Sequence, residues 1–370
     1  MRIAFYAPLK APDHPTPSGD RRVARLFLDA LHGAGHQPFV ASRLRLYDGA
    51  GDTLRQARLK AVAHSVAARL LRRWQREPRG APELWFTYHL YYKAPDYLGP
   101  TISTALGIPY VIAEASAAPK RAGGSWQAGH RAVAAALHRA DAVFGLNPAD
   151  RECVLPLLRD PQRWVALSPF LDARRFAVRQ PRPPASPPRL VAVAMMREGD
   201  KLASYRLLGA ALAGLVDLRW SLDIVGDGVA RADVERALAP LGSRVSYRGA
   251  LDEPAIAQTL AQSDLFVWPA VNEAFGMALL EAQASGLAVV AGASGGVSGI
   301  VASGETGLLV PPGDVAAFAA AVRRLVLDGE GRARMGAAAH AKVEREHDLP
   351  RAAARLAAAI ERLSSGMRAA

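Results

Sequence analysis

The sequence predicts an α/β protein made of two doubly wound, parallel-sheet domains facing each other across a cleft. Three observations predict it. Short apolar runs alternate with longer amphipathic ones through about the first 170 residues. A proline-rich stretch, Arg179-Gln-Pro-Arg-Pro-Pro-Ala-Ser-Pro-Pro188, then excludes both helix and central strand. Beyond it the same alternation starts again.

The first domain, 1–178, has strands predicted at 2–7, 37–41, 83–88, 109–113, 142–146 and 164–167. Helical patterns at 20–33, 94–105 and 126–139 lie between them. The linker takes 179–188. In the second domain, 189–348, strands are predicted at 190–194, 220–225, 245–247, 265–268, 288–291 and 308–310. Helices at 202–215, 230–238, 254–262, 274–285 and 315–325 separate them. Ala-rich helical patterns follow Arg332, and Pro350 restarts the last of them, within the terminal segment 349–370. Open sheets of this kind bind ligands outside the carboxyl ends of their strands, where loops meet helix starts.

Composition narrows the class. A chain of 370 residues is long enough for two ordinary cores. No run approaches the roughly eighteen apolar residues of a membrane span. The strand pattern beginning at Ile3 leaves no room for a secretory leader, and the single cysteine, Cys153, excludes an internal disulfide. A cytoplasmic protein is expected. The net charge of +12 is partly Arg in an Ala- and Arg-rich chain, but residues 54–76 concentrate it. Helical spacing there puts Leu59, Val62, Val66, Leu70 and Trp74 near one stripe, with cations around it. Such a helix either covers a sheet and solvates its charged face, or lies on anionic lipid at the inner face of the membrane. Nucleic acid is not expected, because no base-stacking or docking signature accompanies the charge.

The most informative stretch is Pro269-Ala-Val-Asn-Glu273-Ala-Phe-Gly276-Met-Ala-Leu-Leu-Glu281. Glu273 lies in a turn after an apolar strand, and Glu281 follows about two helical turns later. If Ala274, Phe275, Gly276 and Met277 open the helix, their N–H groups form an anion site. At roughly 1.5 Å per residue the carboxylates are on the order of 12 Å apart along the axis. That suits a sugar diphosphate held from its sugar to its ribose. Taken alone, the same spacing equally describes a first-turn charge and a solvated helix Glu.

The surroundings add to it. Asp264-Leu-Phe-Val-Trp-Pro269 precedes the stretch, and Ala284-Ser-Gly-Leu-Ala-Val-Val-Ala291, Gly295-Gly296 and Gly304-Glu-Thr-Gly307-Leu-Leu-Val-Pro-Pro-Gly313-Asp follow it. Over about fifty residues this resembles the C-terminal half of the retaining glycosyltransferases of family 4, with their Glu-x7-Glu element at Glu273 and Glu281. The resemblance implies the GT-B architecture of two Rossmann-like domains, and a terminal helix crossing back to the first. It implies Glu273 on the donor sugar, Glu281 on the ribose, and Phe275, Gly276 and Met277 on sugar and phosphates through their backbone. Arg197 and Lys201, after the strand 190–194, would stabilise the leaving diphosphate. Their spacing is one residue shorter than the family's.

Gly19, in Ser18-Gly19-Asp20, stands where the family often has paired glycines that let donor and acceptor approach. No metal and no cofactor is implied; the nucleotide diphosphate sugar is the donor substrate. Two departures stand out. Gly299 replaces a common Glu, and Ala115 occupies the place where relatives carry a His facing the reacting sugar. Glu114 or Ser116 substitutes there, or His89 reaches in from a neighbouring strand end. The expected activity is hexosyl transfer to an acceptor hydroxyl. The alternatives are a nucleotide-sugar epimerase of the same architecture and a non-catalytic protein that binds anionic ligands or membrane.

Overall fold

The computed structural model describes residues 1–16, 18–176, 178 and 187–369. Apart from Pro187 and Pro188, the predicted linker 179–188 lies outside the described residues. The chain divides into two compact units, Met1–Ser168 with Leu349–Ala370, and Pro169–Asp348.

In the first unit, β1 (Arg2–Tyr6), β2 (Gln37–Ser42), β3 (Leu84–Leu90), β4 (Tyr110–Ala115), β5 (Ala142–Gly145) and β6 (Trp164–Ala166) form one sheet in the order β2-β1-β3-β4-β5-β6. Every pairing is parallel. Parallel strands are covered on both faces, which explains their nearly unbroken apolar runs. On one face Phe86 stacks 5.7 Å from Phe5 and meets Phe27 at 5.6 Å. On the other lie Tyr6, Trp85 and Tyr110. The helices of this half are α1 (Gly19–Gly33), α2 (Thr53–Arg76), α3 (Gly99–Leu106), α4 (Gln127–Arg139) and the short α5 (Asp150–Val154).

α3 begins five residues later than the pattern 94–105 suggests, for a reason the periodicity does not carry. Asp96 is buried, and its Oδ1 accepts from the N–H groups of Leu98 and Gly99 at 2.8 and 2.9 Å. Its Oδ2 accepts from the hydroxyls of Thr87 and Tyr110 at 2.5 and 3.0 Å. The carboxylate turns the chain before the helix can start.

In the second unit, β7 (Arg189–Val193), β8 (Ser221–Val225), β9 (Val245–Gly249), β10 (Leu265–Trp268), β11 (Ala288–Gly292) and β12 (Gly307–Val310) form a second parallel sheet, in the order β12-β11-β10-β7-β8-β9. Its helices are α6 (Asp200–Ala213), α7 (Arg231–Leu238), α8 (Glu253–Ala261), α9 (Met277–Ala284), α10 (Val297–Ile300), α11 (Val315–Leu327) and α12 (Gly329–Lys342). The last helix, α13 (Leu349–Ala369), belongs to the first unit and packs along α1, where Gly33 lies against Ala353. All twelve predicted strands are present. Together the two units have the two-domain, Rossmann-like GT-B fold. Among the described residues no helix is long and apolar enough to cross a membrane.

Candidate functional site

The predicted donor residues gather at the carboxyl ends of β7 and β10. β10 runs into Pro269, and the loop after it takes an unusual path. Ala270 and Asn272 both have left-handed backbone, at φ 54° and 50°, although neither is glycine. Strain of this kind costs about 1–3 kcal/mol per residue and persists only where surroundings enforce it. Here the enforcement is visible. Asn272 Nδ2 donates to Asp200 Oδ2 at 3.0 Å, and the Val271 N–H donates to Ser204 Oγ at 3.0 Å. Both acceptors lie in the first turns of α6, so the loop is pinned to that helix.

The pinned loop presents Glu273. Its Oε2 accepts from the Lys201 ammonium in a short ion pair and from Trp268 Nε1 at 3.2 Å. Lys201 also lies 5.4 Å from the centre of the Trp268 ring, a cation–π distance. Trp268 is fixed edge-on against Tyr205 at 5.0 Å, and the Tyr205 hydroxyl donates to the Ala194 carbonyl at 2.7 Å. The side chains of Lys201 and Glu273 are 29% and 16% exposed, so the pair is largely withdrawn from water yet still reachable.

Lys201 occupies the first turn of α6, which begins at Asp200 rather than at the predicted residue 202. A cation there opposes the helix dipole. Glu273 offsets that cost in the structure. Arg197, three residues before the helix, is exposed.

The helix after Glu273 corrects the sequence expectation. α9 starts at Met277, not at 274. Gly276 is its N-cap, with left-handed φ 77° and ψ 54°, and its carbonyl accepts from Leu279 and Leu280. Ala274 and Phe275 therefore belong to the loop, and the donors at the helix mouth are Met277 and Ala278. The 12 Å estimate assumed helix from residue 274 onward and does not apply as derived. Glu281 is buried at 3% exposure, which overturns its reading as a solvated helix residue.

Gly295 explains why glycine is needed nearby. Its φ is 53°, and a Cβ there would stand 2.0 Å from the Glu273 carbonyl oxygen. The neighbouring Gly296 N–H donates to the Ala274 carbonyl at 2.9 Å. The glycine pair thus shapes the Glu273 loop. Gly19 differs. It opens α1 behind the N-cap Ser18, whose hydroxyl accepts from the Arg21 N–H at 3.3 Å, and no atom crowds the position of its absent Cβ. Nothing within the unit requires glycine there.

The first unit places a second polar group at the carboxyl ends of its strands. His89 Nδ1 lies 3.1 Å from Asp20 Oδ1 and 3.8 Å from Glu114 Oε1. Burial disfavours charge on this imidazole, but Glu114 and Asp20 outweigh it and raise its pKa to about 9. Burial raises the pKa of Glu114 against the opposing pull of His89. Of the three substitutes considered for the family His, the structure brings His89 and Glu114 together. Ser116 is linked to Asp150.

Sequence reasoning missed Trp268, Asp200 and Ser204. Trp268 read as a strand end, and the two α6 residues act on a loop seventy residues away, a distance no local pattern spans. Among the described residues no group of His, Cys, Asp or Glu is disposed to hold a metal ion.

Acid, cation and helix mouth thus meet at the carboxyl edge of one parallel sheet. Comparison with known proteins is more specific. Residues 187–328 match the family model for glycosyl transferases group 1. The chain is 34% identical over 145 residues to the sulfoquinovosyl transferase SQD2 of Arabidopsis thaliana, a match covering 38% of this chain and 28% of that one. It is 37% identical over 117 residues to a D-inositol 3-phosphate glycosyltransferase of Streptomyces avermitilis, covering 31% and 25%. The matched segments thus span about a quarter of those relatives' own length. Among solved structures, sucrose-phosphate synthase from Thermosynechococcus elongatus superposes with a TM-score of 0.75 at 19% identity over 99% of both chains. Anabaena HepE in complex with UDP-glucose gives 0.71 at 18% identity, covering 99% and 100%.

Proposed function

We propose that the protein is a retaining glycosyltransferase of the family 4 type, moving a hexosyl unit from a nucleotide diphosphate sugar to an acceptor hydroxyl without a metal ion. The observation that carries this reading is the Lys201–Glu273 pair, in which a cation on the first turn of α6 meets a carboxylate on the strained, pinned loop leading to α9. The match of residues 187–328 to glycosyl transferases supports it, as does a fold neighbour solved with UDP-glucose.

In this reading the diphosphate replaces Glu273 as the partner of Lys201. Lys201 and Arg197 then face the negative charge that grows on the departing phosphate, and the Met277 and Ala278 N–H groups add the helix mouth. Glu273, released from Lys201, accepts hydrogen bonds from the sugar hydroxyls. Glu281 takes the ribose, and Phe275 and Gly276 approach the donor through their backbone. The acceptor oxygen bonds directly to the anomeric carbon on the face that the leaving group vacates, so no protein nucleophile is needed, and the departing phosphate oxygen takes the acceptor proton. Gly19, at the mouth of α1, approaches donor and acceptor.

The test is a screen of nucleotide diphosphate sugars with nucleotide release as the readout, with and without added acceptor. Acceptor-stimulated release of nucleotide from one donor is expected. An isomerised sugar without nucleotide release, or no turnover of any donor, would contradict the reading.

The reading includes peripheral contact with anionic membrane through α2, on the inner face of the cell membrane. α2 carries seven Lys and Arg side chains and no Asp or Glu. Its Leu54 and Val62 are 71% and 47% exposed.

A further inference from the structure

Trp268 ends β10 and touches both members of the Lys201–Glu273 pair, yet the transfer reading gives it no part. Two features make it the more permanent partner of the carboxylate. The indole is 2% exposed and wedged edge-on against the fully buried Tyr205, whose hydroxyl is tied to the Ala194 carbonyl. Its Nε1–H is a donor only and carries no charge, so an arriving anion gains little by drawing it away. Lys201 is the opposite, a charge on a flexible four-carbon stem that a second anion can turn toward itself.

The backbone around Glu273 is already fixed on both sides. Asn272 and Val271 bond to Asp200 and Ser204 on α6, and the Gly296 N–H holds the Ala274 carbonyl. What remains free is the side chain, whose torsions must be ordered before the carboxylate can meet a sugar. Lys201 and Trp268 both act on Oε2, and Oε1 accepts from no group among the described residues. Once Lys201 turns to a diphosphate, the indole N–H is the group that still orders the carboxylate, and Oε1 is left to the substrate.

We propose that Trp268 is the positioning residue of Glu273: its N–H keeps the carboxylate in place when Lys201 leaves it for the donor. This rests on the transfer reading above for the departure of Lys201, though not for the bond itself. The ring face contributes separately. Lys201 Nζ lies 5.4 Å from its centre, so the ammonium keeps an attractive neighbour while it exchanges one anion for another. Phenylalanine at this position would keep a ring against Tyr205 and lose the N–H, which separates packing from positioning.

Indole resonances read the bond directly, without turnover. The chain has six tryptophans, so a proton–nitrogen correlation spectrum of the full-length protein resolves few indole N–H signals, and Trp268→Phe identifies one by removing it. Glu273→Ala should move that signal upfield, because a hydrogen bond to a carboxylate is lost. Lys201→Ala should leave it close to its wild-type position. In kinetics with a nucleotide diphosphate sugar that supports nucleotide release, Trp268→Phe should lower kcat about tenfold and change the donor KM by less than about threefold. A signal unmoved by Glu273→Ala, a signal moved as far by Lys201→Ala, or a wild-type kcat in Trp268→Phe would each overturn the proposal. If Trp268→Phe fails to fold, the indole signal that Glu273→Ala displaces marks Trp268, and its position in Lys201→Ala decides. The expected shifts with no donor ever consumed would sink the transfer reading and leave the Trp268–Glu273 bond standing. Donor turnover with a kcat untouched by Trp268→Phe would do the reverse.

Discussion

Lys201 and Glu273 are informative because each is locally unfavourable. A lysine in the first turn of a helix opposes the dipole, and a loop with two left-handed non-glycine residues stores strain. Such violations concentrate at functional positions. Their roles separate by measurement. Lys201→Ala should weaken binding of the free nucleotide diphosphate about tenfold or more, since it removes a fixed cation. Glu273→Ala should leave nucleotide binding nearly intact, or tighten it by freeing Lys201, and cut turnover about a hundredfold or more. Calorimetric titration and steady-state kinetics report the two effects. Equal losses of nucleotide binding in both variants would contradict the division. His89 also follows from charge. Its pKa is raised to about 9, so its stabilising contribution is complete below about pH 6.5 and is lost as pH rises through 9.

At the scale of elements, the strands were legible and the helix starts were not. Short apolar runs marked the central strands, because parallel strands there bury both faces, and the half-buried edge strands β2, β6 and β9 showed by their place in the alternation. Helix starts depend on atoms distant in sequence or on one backbone angle. Asp96 delays α3 by accepting from Leu98 and Gly99, and left-handed Gly276 delays α9 to Met277. Neither shows in a hydrophobic pattern. Ala270 gave no signal either, since alanine has no preference for left-handed backbone. The meeting of His89 with Asp20 and Glu114 depends on sheet order, which placed three separate strand and helix ends together. α2 was read as a basic amphipathic helix, and its apolar stripe proves to be rotated. Ala63, Ala67 and Trp74 face the core, with Leu59, Val66 and Leu70 packed partly against it, while Val62 stays exposed. The sheet-covering role is therefore real, and it leaves the cationic face, with Arg58, Arg69 and Arg72, exposed. Sedimentation with vesicles containing phosphatidylserine should capture the protein at low salt and release it as salt rises, at about 1 kcal/mol per cation engaged. Glutamate in place of Arg58, Arg69 and Arg72 should abolish capture; capture that persists would remove α2 from the membrane contact.

Across the whole molecule, the second unit closes on itself where the chain enters and leaves it. His347 is fully buried; its Nδ1–H donates to the Pro169 carbonyl at 2.7 Å, and its Nε2 accepts from Lys342 at 2.8 Å. The Leu171 N–H donates to the His347 carbonyl at 3.0 Å, and the Ala173 N–H to Asp348 Oδ1 at 3.1 Å. Burial first, then Lys342, lowers the imidazole pKa to about 4. The unfolded chain takes up this proton near pH 6.5 while the folded one resists, so stability is complete above that pH and falls as pH drops toward 4. The loss should amount to about 3 kcal/mol. Urea unfolding at pH 7, 5.5 and 4.5 measures it, and His347→Gln should flatten the slope. Parallel slopes in both proteins would contradict the assignment.

The central claim is that an activated sugar replaces Glu273 as the partner of Lys201 at the mouth of α9. A crystal structure with a nucleotide diphosphate sugar bound tests it most directly. The account predicts diphosphate oxygens within hydrogen-bond distance of Lys201 Nζ and the Met277 and Ala278 N–H groups, and the sugar against Glu273. A donor bound elsewhere, with the Lys201–Glu273 pair still closed, would contradict it.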